Sequence, residues 1–184
     1  MTPIEIVGQA ISIVAMACNI FSFQLKKQSY LITMQLIGGA LFSVSFFMLG
    51  ATLGAIMNLI AAARAVIFLF SEKLHTDRPV WRIGFIALFF IVYILSFTVF
   101  GVEPTPAALV IELLPVIGMT ASTIGFVLAS SRAVRRLGLI SSPAWLIYNI
   151  YYASVGAIVC EAISLVSIFV GMYRHDRKKS GISE

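Results

Sequence analysis

Three ionisable side chains lie inside long apolar segments, where a charge is costly: Arg64, Glu112 and Glu161. An arginine at the centre of a membrane-spanning helix costs about 2.5–3.5 kcal/mol on insertion scales, so such groups often mark functional sites. In a wet cavity Arg64 would attract an anionic group or pair with a carboxylate, and a glutamate would exchange a proton. The competing interpretations are snorkelling of Arg64 to the headgroups and solvation of both glutamates near the interface.

Amide and aromatic side chains extend this set of cavity candidates. Asn58 and Asn149 are deep in different apolar segments. Asn58 precedes Arg64 by six residues, about 600° around a helix, so the two are not expected to share a face closely. Spacings of three and four place a further group on one helical face, namely Trp145, Tyr148, Asn149 and Tyr152. This face could stack against a ring or a sugar. It could equally serve helix packing and the aromatic belt at the membrane interface.

Pro115 follows Glu112 by three residues and is the candidate for a gate. A proline has no N–H to donate to the carbonyl four residues back, here that of Ile111. A bendable helix beside a protonatable carboxylate is what a gate needs. The alternative is an ordinary proline kink, which transmembrane helices tolerate well.

The motifs of common enzyme and metal sites are absent. The chain has no glycine-rich phosphate loop, no His-Glu-x-x-His, no Cys-x-x-Cys and no Gly-x-Ser-x-Gly. Cys18 and Cys160 lie in apolar segments and are interpreted as packing residues. The sequence therefore predicts no enzyme, no metal and no cofactor.

Composition places the chain in lipid. Of its 184 residues 60% are hydrophobic and 11% are charged, and the mean hydropathy is +0.99. A soluble core of this size could not bury so much apolar surface. The net charge of +5 could suggest nucleic acid, but no aromatic platform accompanies the positive residues. Membrane lipid is the predicted partner, and nucleic acid is not.

Basic residues indicate how the chain crosses the membrane. All thirteen Lys and Arg residues except Arg64 fall in alternate gaps between apolar segments. Basic residues near segment ends stay cytoplasmic, so the pattern predicts seven crossings with the N-terminus outside and the C-terminus inside. The groups are Lys26 and Lys27; Lys73, Arg78 and Arg82; Arg132, Arg135 and Arg136; and Arg174, Arg177, Lys178 and Lys179.

The predicted helices are each near the ~20 residues that span a bilayer. They cover about 4–24, 30–49, 53–71, 83–102, 107–130, 137–155 and 157–173. Only residues 50–52 separate the second helix from the third, so these two should form a tight antiparallel hairpin. Residues 103–106, with two prolines, should form an external turn.

A weak internal repeat relates the two ends of the chain. Displaced by roughly a hundred residues, Gly54-Ala55-Ile56-Met57 falls on Gly156-Ala157-Ile158-Val159. The predicted fold is an all-α polytopic bundle of three, one and three helices, with parallel repeats as in the sugar transporters called SWEETs. The units would be residues 1–71, a cytoplasmic loop and linker helix at 72–103, and residues 104–184 with a cytoplasmic tail.

Several runs resemble the YgjV family of bacterial inner-membrane proteins over nearly the whole chain. They are Leu53-Gly54-Ala55-Ile56-Met57-Asn58 followed by Arg64, then Glu112-Leu113-Leu114-Pro115-Val116-Ile117-Gly118, and Glu161. The resemblance implies an inner-membrane location and brings no activity with it. The family is distantly similar to the SWEET and PQ-loop transporter superfamily.

Two classes of function remain open from the sequence. The first is a small-solute transporter of SWEET-like architecture, in which an outward-facing carboxylate would allow proton coupling. The second is a non-transporting membrane module, such as an assembly factor, a lipid-binding scaffold or a receptor. A water-accessible cavity reaching Arg64 and Asn58 would discriminate between them. The sequence is compatible with a homo-oligomer and identifies no solute.

Overall fold

The computed structural model describes residues 1–22, 28–76, 78–128 and 131–175, and every regular element in these ranges is a helix. Seven helices are long and one, α4, is a single turn. This confirms the predicted all-α class. The helices are α1 (Pro3–Ser22), α2 (Gln28–Met48), α3 (Thr52–Leu69), α4 (Ser71–Leu74), α5 (Pro79–Thr98), α6 (Pro106–Leu128), α7 (Ser131–Tyr151) and α8 (Val155–His175).

Four of these helices are long and apolar enough to cross a membrane by length and composition. The spans are Pro3–Phe21, Pro79–Thr98, Pro106–Gly125 and Val155–Arg174, and shorter apolar helices cover Leu36–Met48 and Thr52–Ile67. Large hydrophobic side chains are exposed on the outer surface of the bundle, as lipid contact requires. A crossing by each of the seven long helices remains a prediction.

Two helices, α5 and α7, begin a full turn or more earlier than the sequence suggested. Helix α5 begins at Pro79, because proline suits the first position of a helix, where no N–H is needed. Helix α7 begins at Ser131, because arginine is a good helix former. Three predicted loop arginines, Arg132, Arg135 and Arg136, therefore lie on its first turns. The predicted basic residues 26, 27 and 177–179 lie outside the described residues.

The turns between α2 and α3 and between α7 and α8 have the same backbone hydrogen bonds. The Ala51 N–H donates to Phe46 O at 2.8 Å, and the Ser154 N–H donates to Asn149 O at 2.9 Å. Each follows a residue of positive φ, Gly50 at 77° and Ala153 at 52°. The tight α2–α3 hairpin is thus confirmed. When the two turns are aligned on these hydrogen bonds, Gly54 corresponds to Ala157. The sequence comparison had paired Gly54 with Gly156, one residue earlier.

Helices α1 and α6 also begin alike. Each starts with a Thr-Pro pair, in which the threonine hydroxyl accepts a hydrogen bond from the N–H three residues on. The Glu5 N–H donates to Thr2 Oγ1 and the Ala108 N–H donates to Thr105 Oγ1, both at 3.2 Å. Thr2 and Thr105 are separated by the same number of residues as Ala51 and Ser154, the corresponding residues of the two hairpins.

Six of the long helices form a closed ring. Around it, α1 packs on α2, α2 on α3, α3 on α6, α6 on α7, α7 on α8, and α8 on α1, whereas α5 packs outside on α3 and α6. In this ring α3 and α8 lie on opposite sides. The turns at 49–51, 99–105 and 152–154 share one end, here called the non-basic end. The opposite end carries Lys73, Arg78, Arg132 and Arg174 and is called the basic end.

Candidate functional site

A cavity of about 250 Å³ lies in the centre of the helix ring. Side chains from all six ring helices line it, and its described lining includes none from α5. The lining combines amides, hydroxyls, a thiol, one cation and one carboxylate with aromatic rings. These residues are Asn19, Phe42, Phe46, Asn58, Ala61, Arg64, Met119, Ser122, Ser141, Trp145, Asn149, Ala157, Cys160 and Glu161.

Arg64 is held on the α3 wall by oxygens of α6. Its side chain is 5% exposed, and its Nη1 donates to Met119 O at 3.2 Å, to Ser122 Oγ at 3.1 Å and to Thr123 Oγ1. Both hydroxyls in turn donate to Met119 O. These oxygens offset part of the cost of burying the guanidinium. These hydrogen bonds fix the position of the Arg64 side chain against α6.

The opposite wall presents acceptors. Glu161 of α8 lines the cavity, and Ser142 of α7 lies near its side chain. Asn149 of α7 is 1% exposed, and its Oδ1 has no hydrogen-bond partner among the described residues. A buried acceptor left without a donor costs about 1–3 kcal/mol. This wall can therefore accept a hydrogen bond from a donor group of a bound solute or water.

Asn58 and Trp145 complete the predicted members of the lining. Asn58 Nδ2 donates back to Gly54 O at 3.0 Å. Asn58 and Arg64 line the same cavity, although the helical angle between them suggested separate faces; the long arginine side chain reaches across that angle. The Trp145 ring is stacked on Phe46 with centroids 6.4 Å apart, which gives the cavity an apolar side.

Three predicted site residues lie outside this lining. Tyr148 is fully buried, and its hydroxyl accepts the Gly54 N–H at 2.9 Å. Glu112 is 1% exposed and accepts a hydrogen bond from the Tyr152 hydroxyl. Pro115 is buried inside α6, which continues through it. The predicted aromatic face of α7 is thus divided, because Trp145 and Asn149 line the cavity whereas the two tyrosines contact α3 and α6.

An aromatic layer covers the cavity toward the non-basic end. Phe46 and Tyr148 meet edge to face with centroids 6.3 Å apart, and Tyr148 and Tyr152 lie 4.8 Å apart. The hydrogen bond between Tyr152 and Glu112 ties the end of α7 to the second turn of α6. This layer separates the cavity from the turns at that end.

Toward the basic end the cavity continues between α6 and α7. A second cavity of about 220 Å³ shares Ser122 and Ser141 with the first. Gly125 of α6 and Gly138 of α7 line it together with Val134, Leu137 and Ser142 of α7. The two cavities together define a path from the central site toward the basic end.

Sequence reasoning missed part of the lining. Asn19, Ser122, Ser141 and Cys160 were not among the candidates, because a lone polar residue carries no sign of the direction it faces. One signal was available, namely the offset between the two Thr-Pro pairs at residues 2–3 and 105–106. At that offset, four pairs of positions both line the cavity: Asn19 with Ser122, Phe42 with Trp145, Phe46 with Asn149, and Asn58 with Glu161.

Comparison with protein families identifies the chain's relatives. The model of the Imp-YgjV family, described as bacterial inner membrane proteins, matches residues 6–179, and the chain belongs to this family. The match confirms the resemblance found in the sequence and gives the protein an inner-membrane location. No curated protein and no solved structure matches the chain.

Proposed function

We propose that this protein is a small-solute membrane transporter that binds its solute in the central cavity of the helix ring. The observation that carries the proposal is the lining itself. A cavity with a buried cation, a carboxyl group and an unsatisfied amide oxygen in its lining lies in the middle of the helix bundle. Such groups are costly in lipid surroundings unless a solute or water uses them.

The transporter would have a 3+1+3, SWEET-like architecture. Helices α1–α3 form one unit and α6–α8 the other, with α5 as the linker. A symmetric arrangement of the two units places α6 where α1 was and α3 where α8 was. The α1–α8 contact should therefore have a counterpart between α6 and α3, and both contacts are present. The matching Thr-Pro caps and hairpins, together with the four paired lining positions, support a parallel repeat whose axis passes through the cavity.

Alternating access would operate on the two ends of the cavity in turn. In this structure the non-basic end is covered by the aromatic layer, and the path toward the basic end lies between α6 and α7. Opening the covered end would require α6 and α7 to separate, which breaks the hydrogen bond of Glu112 with Tyr152. Pro115, one turn along α6, is placed to let that helix bend.

Proton coupling is part of the proposal. Glu112 has a second carboxyl oxygen, Oε2, that is buried without a hydrogen-bond partner in the described structure. A protonated Glu112 would stay in the closed layer, whereas a charged one would favour opening to water. The non-basic end would then face the cell exterior and the basic end the cytoplasm. No chemical step is proposed for any side chain, and the protein would not be an enzyme.

The test is the accessibility of one cavity position from each side of the membrane. In a variant with Cys18→Ala and Cys160→Ala, Ser141→Cys places a thiol where the two cavities meet. A membrane-impermeant methanethiosulfonate is added to oriented vesicles from one side or the other. We expect labelling from both sides, because alternating access exposes the site to each in turn.

Ser167→Cys is the matched control. Ser167 is exposed on the outer surface of α8 and bonds only its own helix at Ile163 O in the described structure, so a thiol there faces lipid and should react slowly from either side. Labelling of Ser141→Cys from one side alone would indicate a receptor. Labelling from neither side would indicate a dry scaffold or assembly factor. Either result overturns the transporter proposal.

A further inference from the structure

We propose that the solute is a small zwitterion that carries an anionic group and a cationic or strongly hydrogen-bond-donating group on opposite sides. This inference rests on the proposed central binding site and adds the class of solute. It follows from the way charge is divided between the two walls of the cavity. Free α-amino acids are the simplest compounds of this class.

The two walls differ in charge although the positions that form them correspond. Asn58 on α3 corresponds to Glu161 on α8, so the α8 wall carries the carboxylate and the α3 wall the neutral amide. The α3 wall carries Arg64, whereas the corresponding position on α8 is Ser167, which is exposed outside the cavity lining. Because α3 and α8 lie across the ring, the cavity has a guanidinium on one side and a carboxyl group on the other.

A solute of matching polarity satisfies both walls at once. Its anionic group would take the guanidinium of Arg64, which Ser122 and Thr123 hold in place. Its donor group would bond to the unsatisfied Oδ1 of Asn149, which lines the cavity together with Glu161. An anion alone would leave the Oδ1 of Asn149 without a donor, and a cation would meet the like charge of Arg64, which is unfavourable in a buried site.

The size of the cavity limits the solute. About 250 Å³ is below the range of roughly 300–1,000 Å³ that holds drug-sized ligands. The apolar side formed by Phe42, Phe46 and Trp145 accommodates a short side chain and lies against a cation favourably through the aromatic faces.

The experiment compares probes that carry both charges, one charge or none. Purified protein is screened by thermal shift and then by calorimetry with the twenty proteinogenic amino acids. The best amino acid is compared with its α-amide, which lacks the carboxylate, with the analogue that lacks the amino group, and with D-glucose. We expect the amino acid to bind at least about tenfold more tightly than either single-charge analogue, a difference of about 1.4 kcal/mol.

Variants assign each charge to its wall. Arg64→Leu should abolish the response to the amino acid, and Glu161→Gln and Asn149→Leu should each weaken it by about tenfold or more. The matched controls are Arg136→Leu and Glu103→Gln, because both residues are exposed away from the cavity; they should change nothing. If Arg64→Leu does not fold, Glu161→Gln and Asn149→Leu carry the test.

Other outcomes overturn the inference. A single-charge analogue binding as tightly as the amino acid would mean that one wall is not used. Glucose binding alone would indicate a neutral polyol site, and no response to any amino acid would exclude the class. None of these results bears on two-sided thiol labelling at residue 141, so a transporter of another solute would still be recognised.

Discussion

At the residue scale, the position of Arg64 depends on a helix that is distant in sequence. The guanidinium donates to a carbonyl and two hydroxyls of α6. The sequence identified the buried cation because a charge in an apolar segment is conspicuous. It could not identify these partners, since that requires knowing how α3 and α6 pack. Tyr148 lies outside the lining for a related reason, because one helical face can touch both a cavity and two neighbouring helices.

Replacing Arg64 by leucine should leave the protein folded. Ser122 and Thr123 already donate to Met119 O, so the α6 groups keep one another satisfied when the guanidinium is removed. We expect insertion, purification and an unfolding midpoint within about 4 °C of the wild type, measured by thermal unfolding in detergent. Arg64→Lys should respond only partially to solute, because it lacks the planar fork. Aggregation of Arg64→Leu would show instead that the arginine is structural.

Tyr152 should stabilise the buried carboxyl of Glu112. Tyr152→Phe removes its hydroxyl donor, which should cost about 1–3 kcal/mol of stability. Combining Tyr152→Phe with Glu112→Leu should destabilise less than the sum of the two single changes. The control is Tyr151→Phe, at an exposed neighbouring ring, which should have no effect. Additive effects in the double variant would show that the contact contributes nothing.

At the element scale, two helix contacts rely on glycine to bring backbones close. A Cβ at Gly156 would overlap the backbone and hydroxyl of Ser12, whose Oγ accepts the Gly156 N–H at 2.8 Å. A Cβ at Gly118 would lie 2.7 Å from Cδ1 and Nε1 of Trp145. Small residues allow such approach between helices in lipid. The sequence displayed these glycines but not their partners, so only the general expectation of a compact bundle could be drawn from it.

Gly118→Ala should therefore impair the site. The added methyl group would push the Trp145 indole into the cavity, and overpacking of this kind costs about 1–3 kcal/mol. We expect lower stability and weaker solute binding, measured by thermal shift with and without amino acid. Gly39→Ala is the matched control, because a Cβ there has no neighbour within 4 Å, and it should be neutral or stabilising by up to about 1 kcal/mol. Equal behaviour of the two variants would contradict the close contact of Gly118 with Trp145.

At the scale of the whole molecule, patterns that repeat along the chain were the easiest to predict. Hairpins and helix number followed from hydropathy and from the alternation of basic residues. Helix ends were less certain, as at α7, where Arg132 and Arg135 extend the helix beyond its apolar part. The cavity was the hardest to predict, because no single segment encodes it. Its lining comes from six helices, and only the offset between the Thr-Pro pairs indicates which positions correspond.

The orientation of the molecule in the membrane is the prediction on which the direction of transport depends. The basic end should face the cytoplasm, because lysine and arginine near helix ends are retained there. A reporter that is active only in the cytoplasm should work when fused after Glu184. A reporter active only outside should work when inserted at Glu103, which is exposed in the turn at residues 99–105. Replacing Arg132, Arg135 and Arg136 together by glutamine should weaken this preference, whereas removing the buried Arg64, which lies away from the helix ends, should not. The opposite reporter pattern would reverse the topology, and Glu112 would then lie beneath the cytoplasmic gate.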